Sequence, residues 1–205
     1  RAVGGRFGSD GMEKAAVTLR CKVAIIGDAT VGKTALVQLF CTNMSKYPKN
    51  YLMTKGMEFH VKEVKIPDSN TIVELFLFDI GGHPAYKMLH KLYFEGSSIC
   101  MLVFNMADPK SFENCRTWLA AYKEATHPVP FKGILVGTKA DLKEDNAVMV
   151  DPDKVLDFAN ANKIRYFATS AKEAKDVEDP FHFIANDFYK NYEEEVKHLM
   201  HGMHR

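Results

Sequence analysis

Gly27-Asp28-Ala29-Thr30-Val31-Gly32-Lys33-Thr34 satisfies the spacing G-x-x-x-x-G-K-[ST] at every required position. Its flanks decide how it is read. Lys22-Val23-Ala24-Ile25-Ile26 before it has the character of a buried strand. Thr34-Ala35-Leu36-Val37-Gln38-Leu39-Phe40 after it reads as a helix. The two glycines let amide N–H groups turn inward as a nest for anionic oxygens, and the helix N-terminus adds partial positive charge. Lys33 places a cation on terminal phosphates, and the Thr34 hydroxyl is placed to ligate Mg²⁺. The expected phosphate-binding residues are Gly27, Ala29, Thr30, Val31, Gly32, Lys33, Thr34 and Ala35. A glycine turn that merely joins a strand to a helix is the plainer reading, and the flanks argue against it.

The base is chosen further along. Ile134-Leu135-Val136-Gly137 is an apolar strand that ends in Thr138-Lys139-Ala140-Asp141. A carboxylate at Asp141 accepts from the ring N–H and exocyclic amine of guanine, whereas adenine presents a lone pair there. The Lys139 stem can pack along the base face, and Thr138 can tie this loop to the phosphate loop. A third element follows the apolar run Tyr166-Phe167-Ala168: Thr169-Ser170-Ala171-Lys172, with the Ala171 N–H suited to the guanine carbonyl. Three elements in this order select GTP or GDP.

Between them, Val73-Glu74-Leu75-Phe76-Leu77-Phe78 ends in Asp79-Ile80-Gly81-Gly82-His83. Asp79 is expected to hold Mg²⁺ through water and the Gly82 N–H to meet a γ-phosphate; an aspartate capping a turn is the simpler alternative.

Apolar strands are expected near 21–26, 58–66, 72–78, 98–104, 133–137 and 165–168, and helices near 33–42, 85–94, 111–125, 151–161 and 180–200. Pro67-Asp68-Ser69-Asn70 turns the second strand back on the third, making one antiparallel pair. The remaining βα alternation demands parallel strands with helices on both faces. The fold class is therefore α/β, with a six-stranded, mostly parallel sheet. All the motifs fall at strand carboxyl ends, where such folds bind ligands.

This set of motifs resembles the Ras superfamily of small GTPases over roughly residues 20 to 195, which implies a P-loop NTPase fold of the small G domain type. The resemblance implies two segments that sense the γ-phosphate. Thr54, in Thr54-Lys55-Gly56, matches the T-x-G form of Rab-like members, with its hydroxyl on Mg²⁺ and its N–H on the γ-phosphate. Family spacing puts Tyr47 on the guanine face and Tyr51 near the phosphates. A narrower similarity is to the Rab-like GTPase subunits of the intraflagellar transport complex. It is carried by Leu19-Arg20-Cys21-Lys22-Val23-Ala24, the phosphate loop, Val73 to Asp79, Asp179-Pro180-Phe181 and Phe188-Tyr189-Lys190-Asn191-Tyr192-Glu193. It implies work in the cytoplasm and in the cilium or flagellum and its base. It also implies a heterodimer with a small β-sandwich intraflagellar transport subunit inside a larger transport complex. A cycling Rab-like GTPase of vesicle traffic is the alternative.

Two departures matter. His83 stands where most Ras-like proteins carry the glutamine that orients the attacking water. Translational GTPases carry histidine there and hydrolyse GTP when activated, so His83 is the catalytic candidate and a loop histidine is its bland reading. Pro84 stiffens the segment, and the Ala29 methyl is placed to crowd the water or the planar transition state; slow or no intrinsic hydrolysis is expected. No cysteine follows Cys115, so no prenyl anchor is expected.

The 205 residues suit one α/β domain, expected over 19–200, after an N-terminal extension at 1–18 and before a tail at 201–205. A formal net charge of +1 favours no nucleic acid partner. The four cysteines have no metal-like spacing and read as reduced core residues of a cytosolic protein. On the last helix, Phe181, Ile184, Phe188, Tyr192, Val196 and Leu199 recur at steps of three and four. The first of these are expected to cover the sheet and the last to meet the β-sandwich partner.

Overall fold

The computed structural model describes residues 17–45, 47, 50, 52–143 and 149–202. The strands are β1 (Val17–Ile26), β2 (Met57–Lys65), β3 (Thr71–Ile80), β4 (Ile99–Asn105), β5 (Gly133–Thr138) and β6 (Arg165–Ala168). They form a six-stranded sheet in the order β2-β3-β1-β4-β5-β6. β2 runs antiparallel to β3, and every other pairing is parallel. The α/β class and the single antiparallel hairpin are as expected. The helices are α1 (Lys33–Cys41), α2 (Lys87–Phe94), α3 (Pro109–Thr126), α4 (Pro152–Ala161) and α5 (Asp179–Gly202).

Burial explains the arrangement. The residues of β4 from Ile99 to Phe104 are all buried, because both faces of this central strand are covered. Alternate side chains feed two cores. Val23, Ile25, Met101 and Val103 pack with Leu36 of α1 and Phe181 and Ile184 of α5. Ala24, Ile26, Leu102 and Phe104 pack with Phe94 of α2, Phe112 and Leu119 of α3 and Phe158 of α4. Phe40 and Phe181 stack with centroids 4.0 Å apart, which locks α5 onto α1. All four cysteines are free, and three are buried. No helix among the described residues is long and apolar enough to cross a membrane.

Three boundaries differ from the sequence reading. β1 opens at Val17 instead of near residue 21, so Val17 and Thr18 belong to a strand and not to an extension. Val17 and Thr18 are exposed and precede the buried run of β1; pairing with Thr71 and Ile72 extends the strand to them. The helix expected over 85–94 is split into a 3₁₀ turn, Pro84–Tyr86, and α2. Pro84 starts that turn and the His83 side chain accepts from the Ala85 N–H. α5 runs through Gly202, taking in His201 and Gly202 of the expected tail. Residues 1–16 and 203–205 of the terminal segments lie outside the described residues.

α3 and α4 are capped by Asp108 and Asp151, each accepting a backbone N–H and each followed by proline. α1 is different. Its N-cap is Gly32, at φ 106° and without a side-chain cap, so the first-turn N–H groups face the end of the sheet unmasked.

Candidate nucleotide site

The phosphate loop leaves β1 at Gly27, whose φ is 145°. A Cβ there would lie 2.1 Å from the Val103 carbonyl of β4, so only glycine lets the loop press so closely on the sheet. Thr30 and Gly32 also have positive φ, at 64° and 106°. These reversals give the loop its concave path. Lys33 crosses back over it and donates to the carbonyls of Gly27 at 2.8 Å and Asp28 at 2.7 Å. Burial pushes the pKa of its ammonium down to about 8, against the pull of Asp79 and Asp28. A buried cation that meets carbonyls and nearby carboxylates among the described residues is a strong receptor for an anion.

Thr34, Thr54 and Asp79 are 20 or more residues apart in sequence and meet in space. The Thr34 hydroxyl donates to Asp79 Oδ2 at 2.5 Å and lies 2.9 Å from the Thr54 hydroxyl, which itself is 3.4 Å from Asp79 Oδ2. Asp79 Oδ1 is buried and has no hydrogen-bond partner among the described residues. Burial raises the pKa of this carboxyl, while the Thr34 hydroxyl and Lys33 oppose the rise. A buried carboxylate oxygen without a donor, flanked by two hydroxyls, fits a hard divalent cation. Ala29, Thr30, Lys33, Thr34, Ala35, Thr54, Gly82, His83, Lys139 and Tyr47 line one cleft of about 360 Å³, where Tyr47 is half exposed. Tyr51 lies outside the described residues.

Gly82 packs directly on the phosphate loop. A Cβ there would sit 2.3 Å from Gly27 O and 2.4 Å from Ala29 N. His83 is exposed at the cleft rim. Its Nδ1 accepts from Ala85 N–H at 3.2 Å, so the neutral ring carries its proton on Nε2.

The base-side loops converge as well. Thr138 Oγ1 donates to the Val31 carbonyl in the phosphate loop and to Phe104 O at 3.0 Å. Lys139 has φ 60°, and the Ala140 N–H donates to Thr169 O at 3.1 Å, joining the two loops. Ser170 Oγ donates to Asp141 Oδ1 at 2.6 Å and Lys172 Nζ stands 3.7 Å from Asp141 Oδ2. Ala171 follows Ser170 in the same loop. The Asp141 side chain is only 6% exposed.

Sequence reasoning misses a cluster behind the loop. Asp28 accepts from Trp118 Nε1 at 2.7 Å and from Asn114 Nδ2 at 2.6 Å. The only sequence trace of this cluster is the i, i+4 spacing of Asn114 and Trp118 on α3. Nothing in the sequence ties them to Asp28.

Comparison with known proteins agrees with this geometry. The Ras family model matches residues 22–190. Over 182 residues the chain is 42% identical to "Intraflagellar transport protein 27" of Chlamydomonas reinhardtii, covering 87% of this chain and 89% of that protein. It is 39% identical to the "Intraflagellar transport protein 27 homolog" of Mus musculus, over 88% of this chain and 96% of the relative. It is also 35% identical to the "Ypt/Rab-type GTPase ypt7" of Schizosaccharomyces pombe, with 80% of each covered. Matched over most of its length by that family and its Rab-type members, and folded with the phosphate loop at the strand ends, this chain belongs to the Ras family of small GTPases.

Proposed function

We propose that this chain is a GTP-binding subunit of the intraflagellar transport machinery, acting in the cytoplasm and the cilium or flagellum, with slow or no intrinsic GTP hydrolysis. The observation that carries the reading is the meeting of Lys33, Thr34, Thr54 and Asp79 in one cleft, in a chain similar to intraflagellar transport proteins along most of its length. Lys33 and the loop amides bind the phosphates. Thr34, Thr54 and Asp79 hold Mg²⁺, which supplies charge neutralisation to those phosphates. Thr54 and the Gly82 N–H would both contact the terminal phosphate, from two segments that meet in the cleft. Asp141 reads the guanine edge with the Ala171 N–H, Ser170 and Lys172 support it, and Tyr47 covers the base. A small β-sandwich subunit docks on the far end of α5, where Tyr192 is 39% and Leu199 68% exposed.

Hydrolysis is slow because His83 is engaged as a cap. Its Nδ1 already accepts the Ala85 N–H, so the neutral ring keeps only an Nε2–H donor: it can contact a water but has no free lone pair to act as general base. Single-turnover hydrolysis, with the chain alone and with its β-sandwich partner, tests this. His83→Ala is expected to change the intrinsic rate less than about threefold, whereas a general acid–base group is worth ~10²-fold or more. A drop of tenfold or more would make His83 a water-orienting residue and the chain a timed switch.

Gly82→Ala probes the other wall. The added methyl must separate the turn from the phosphate loop, and an overpacked contact of this kind costs ~1–3 kcal/mol. Affinity for a GTP analogue should fall about tenfold. Unchanged binding in equilibrium titration would mean that the turn takes no part in holding the triphosphate.

A further inference from the structure

Asp28 has two faces. Its carbonyl takes the Lys33 ammonium. Its carboxylate belongs instead to a second cavity of about 430 Å³ between α2 and α3, whose walls include Trp118, Asn114 and His90. There Trp118 Nε1 donates to Oδ1 at 2.7 Å and Asn114 Nδ2 to Oδ2 at 2.6 Å. Both distances are those of charge-assisted bonds. Trp118, the chain's single tryptophan, also packs its ring on His90 of α2 with centroids 4.8 Å apart. His90 is buried, and its Nε2 donates to the Gly81 carbonyl at 3.1 Å. Gly81 in turn donates to Gly56 O at 2.8 Å, and Gly82 lies against the Asp28 and Ala29 backbone.

These contacts close a ring: phosphate loop, α3, α2, the Gly81–Gly82 turn and back to the phosphate loop. Trp118 and His90 do not line the nucleotide cleft. Their chemistry acts on distance. The indole fixes Asp28 from behind while His90 holds the turn that faces it.

We propose that Trp118, through its hydrogen bond to Asp28, is a positioning residue that sets the spacing between the phosphate loop and the Gly81–Gly82 turn, and so tunes preference for a nucleoside triphosphate over a diphosphate. This rests on the guanine-nucleotide reading of the cleft. The phosphate loop serves both nucleotides, but only a triphosphate reaches the turn. Loosening the spacing therefore acts on the triphosphate selectively. If Trp118 only glued α3 to the domain, both nucleotides would loosen together.

The test measures dissociation of fluorescent mant-GDP and of the non-hydrolysable mant-GppNHp from the full chain, with thermal melts alongside. Trp118→Phe keeps the ring on His90 and removes the N–H. Asp28→Ala removes the acceptor of both the indole N–H and the Asn114 amide. Each is expected to speed mant-GppNHp release about tenfold and mant-GDP release less than about threefold, the scale of one hydrogen bond to a charged group. The double variant should release no faster than Asp28→Ala alone, because Asp28→Ala already deletes the indole bond together with the Asn114 bond. Asp28→Asn, whose amide oxygen still accepts the indole N–H while Asn114 turns its own amide, should restore near wild-type release. Equal acceleration of both nucleotides, additive single effects, or failure of Asp28→Asn to rescue would overturn the proposal. A wild type that retains neither nucleotide would instead overturn the reading of the cleft, and this proposal with it.

Discussion

Lys33→Met is expected to lower guanine-nucleotide affinity at neutral pH by at least about a hundredfold, since truncating one partner of a buried charge pair costs ~2–5 kcal/mol. Lys33 is 6% exposed and, among the described residues, donates to Gly27 O and Asp28 O of the loop. Methionine matches its length but brings no charge and leaves both carbonyls without that donor. Titration with GDP and with a GTP analogue at fixed Mg²⁺ measures the loss, and retention within tenfold of wild type would remove Lys33 from the phosphate site. The ammonium also gives a pH signature. Its folded-state pKa of about 8 lies below the ordinary 10.5, so between these values the unfolded chain binds more protons than the folded one. The cost of burying the charge is therefore present in full below about pH 8 and is relieved as pH rises toward 10.5. Urea unfolding of the nucleotide-free wild type should show stability gained across that window, and Lys33→Met should lack the gain. Phosphate binding favours the charged form, so nucleotide affinity of the wild type should move the other way and fall as pH rises through about 8.

Asp141→Ala is expected to erase most of the preference for guanine over adenine, a loss on the order of 10³- to 10⁴-fold in the affinity ratio. The carboxylate is almost fully enclosed, and its orientation is set by the Ser170 hydroxyl at 2.6 Å and by Lys172 at 3.7 Å. Such a group discriminates by what happens to the wrong base: adenine turns a lone pair toward it and leaves a buried acceptor unpaired. Alanine removes the attraction for guanine and the penalty for adenine together. Competition between GTP and ATP for the same cleft reads the ratio. A variant that still prefers guanine by more than a hundredfold would move the discrimination to the Ala171 backbone. Ser170→Ala should give a smaller effect in the same direction, about threefold to tenfold, because it frees the carboxylate without deleting it.

The phosphate loop, the strand-and-helix alternation and the Thr138–Asp141 element are all legible in the order of residues alone. Each is local: a few residue types at fixed spacing, flanked by a period of two or 3.6 that betrays a strand or helix. From these, the parallel sheet and the gathering of motifs at strand ends follow by the geometry of βαβ connections. What is not legible depends on partners far away in sequence. β1 reaches back to Val17, outside the buried run, where Thr71 of β3 stands beside it as its pairing partner. His83 is a catalytic candidate as a residue type, but its Nδ1 is committed to Ala85 by the turn that Pro84 starts. Asp28 fills an x of the phosphate-loop spacing, where any residue type satisfies the pattern, yet α3 brings Asn114 and Trp118 to its carboxylate across 86 and 90 residues of chain. The depressed Lys33 ammonium has the same origin: sequence supplies the amine, but only the packed interior excludes the water that would keep it charged at its ordinary pKa. Residue types and their spacing thus establish which chemistry is present and at which end of the sheet. Packing settles which groups are desolvated, which lone pairs are already taken and which loops are tied together, because those properties belong to contacts between distant segments and not to any one of them.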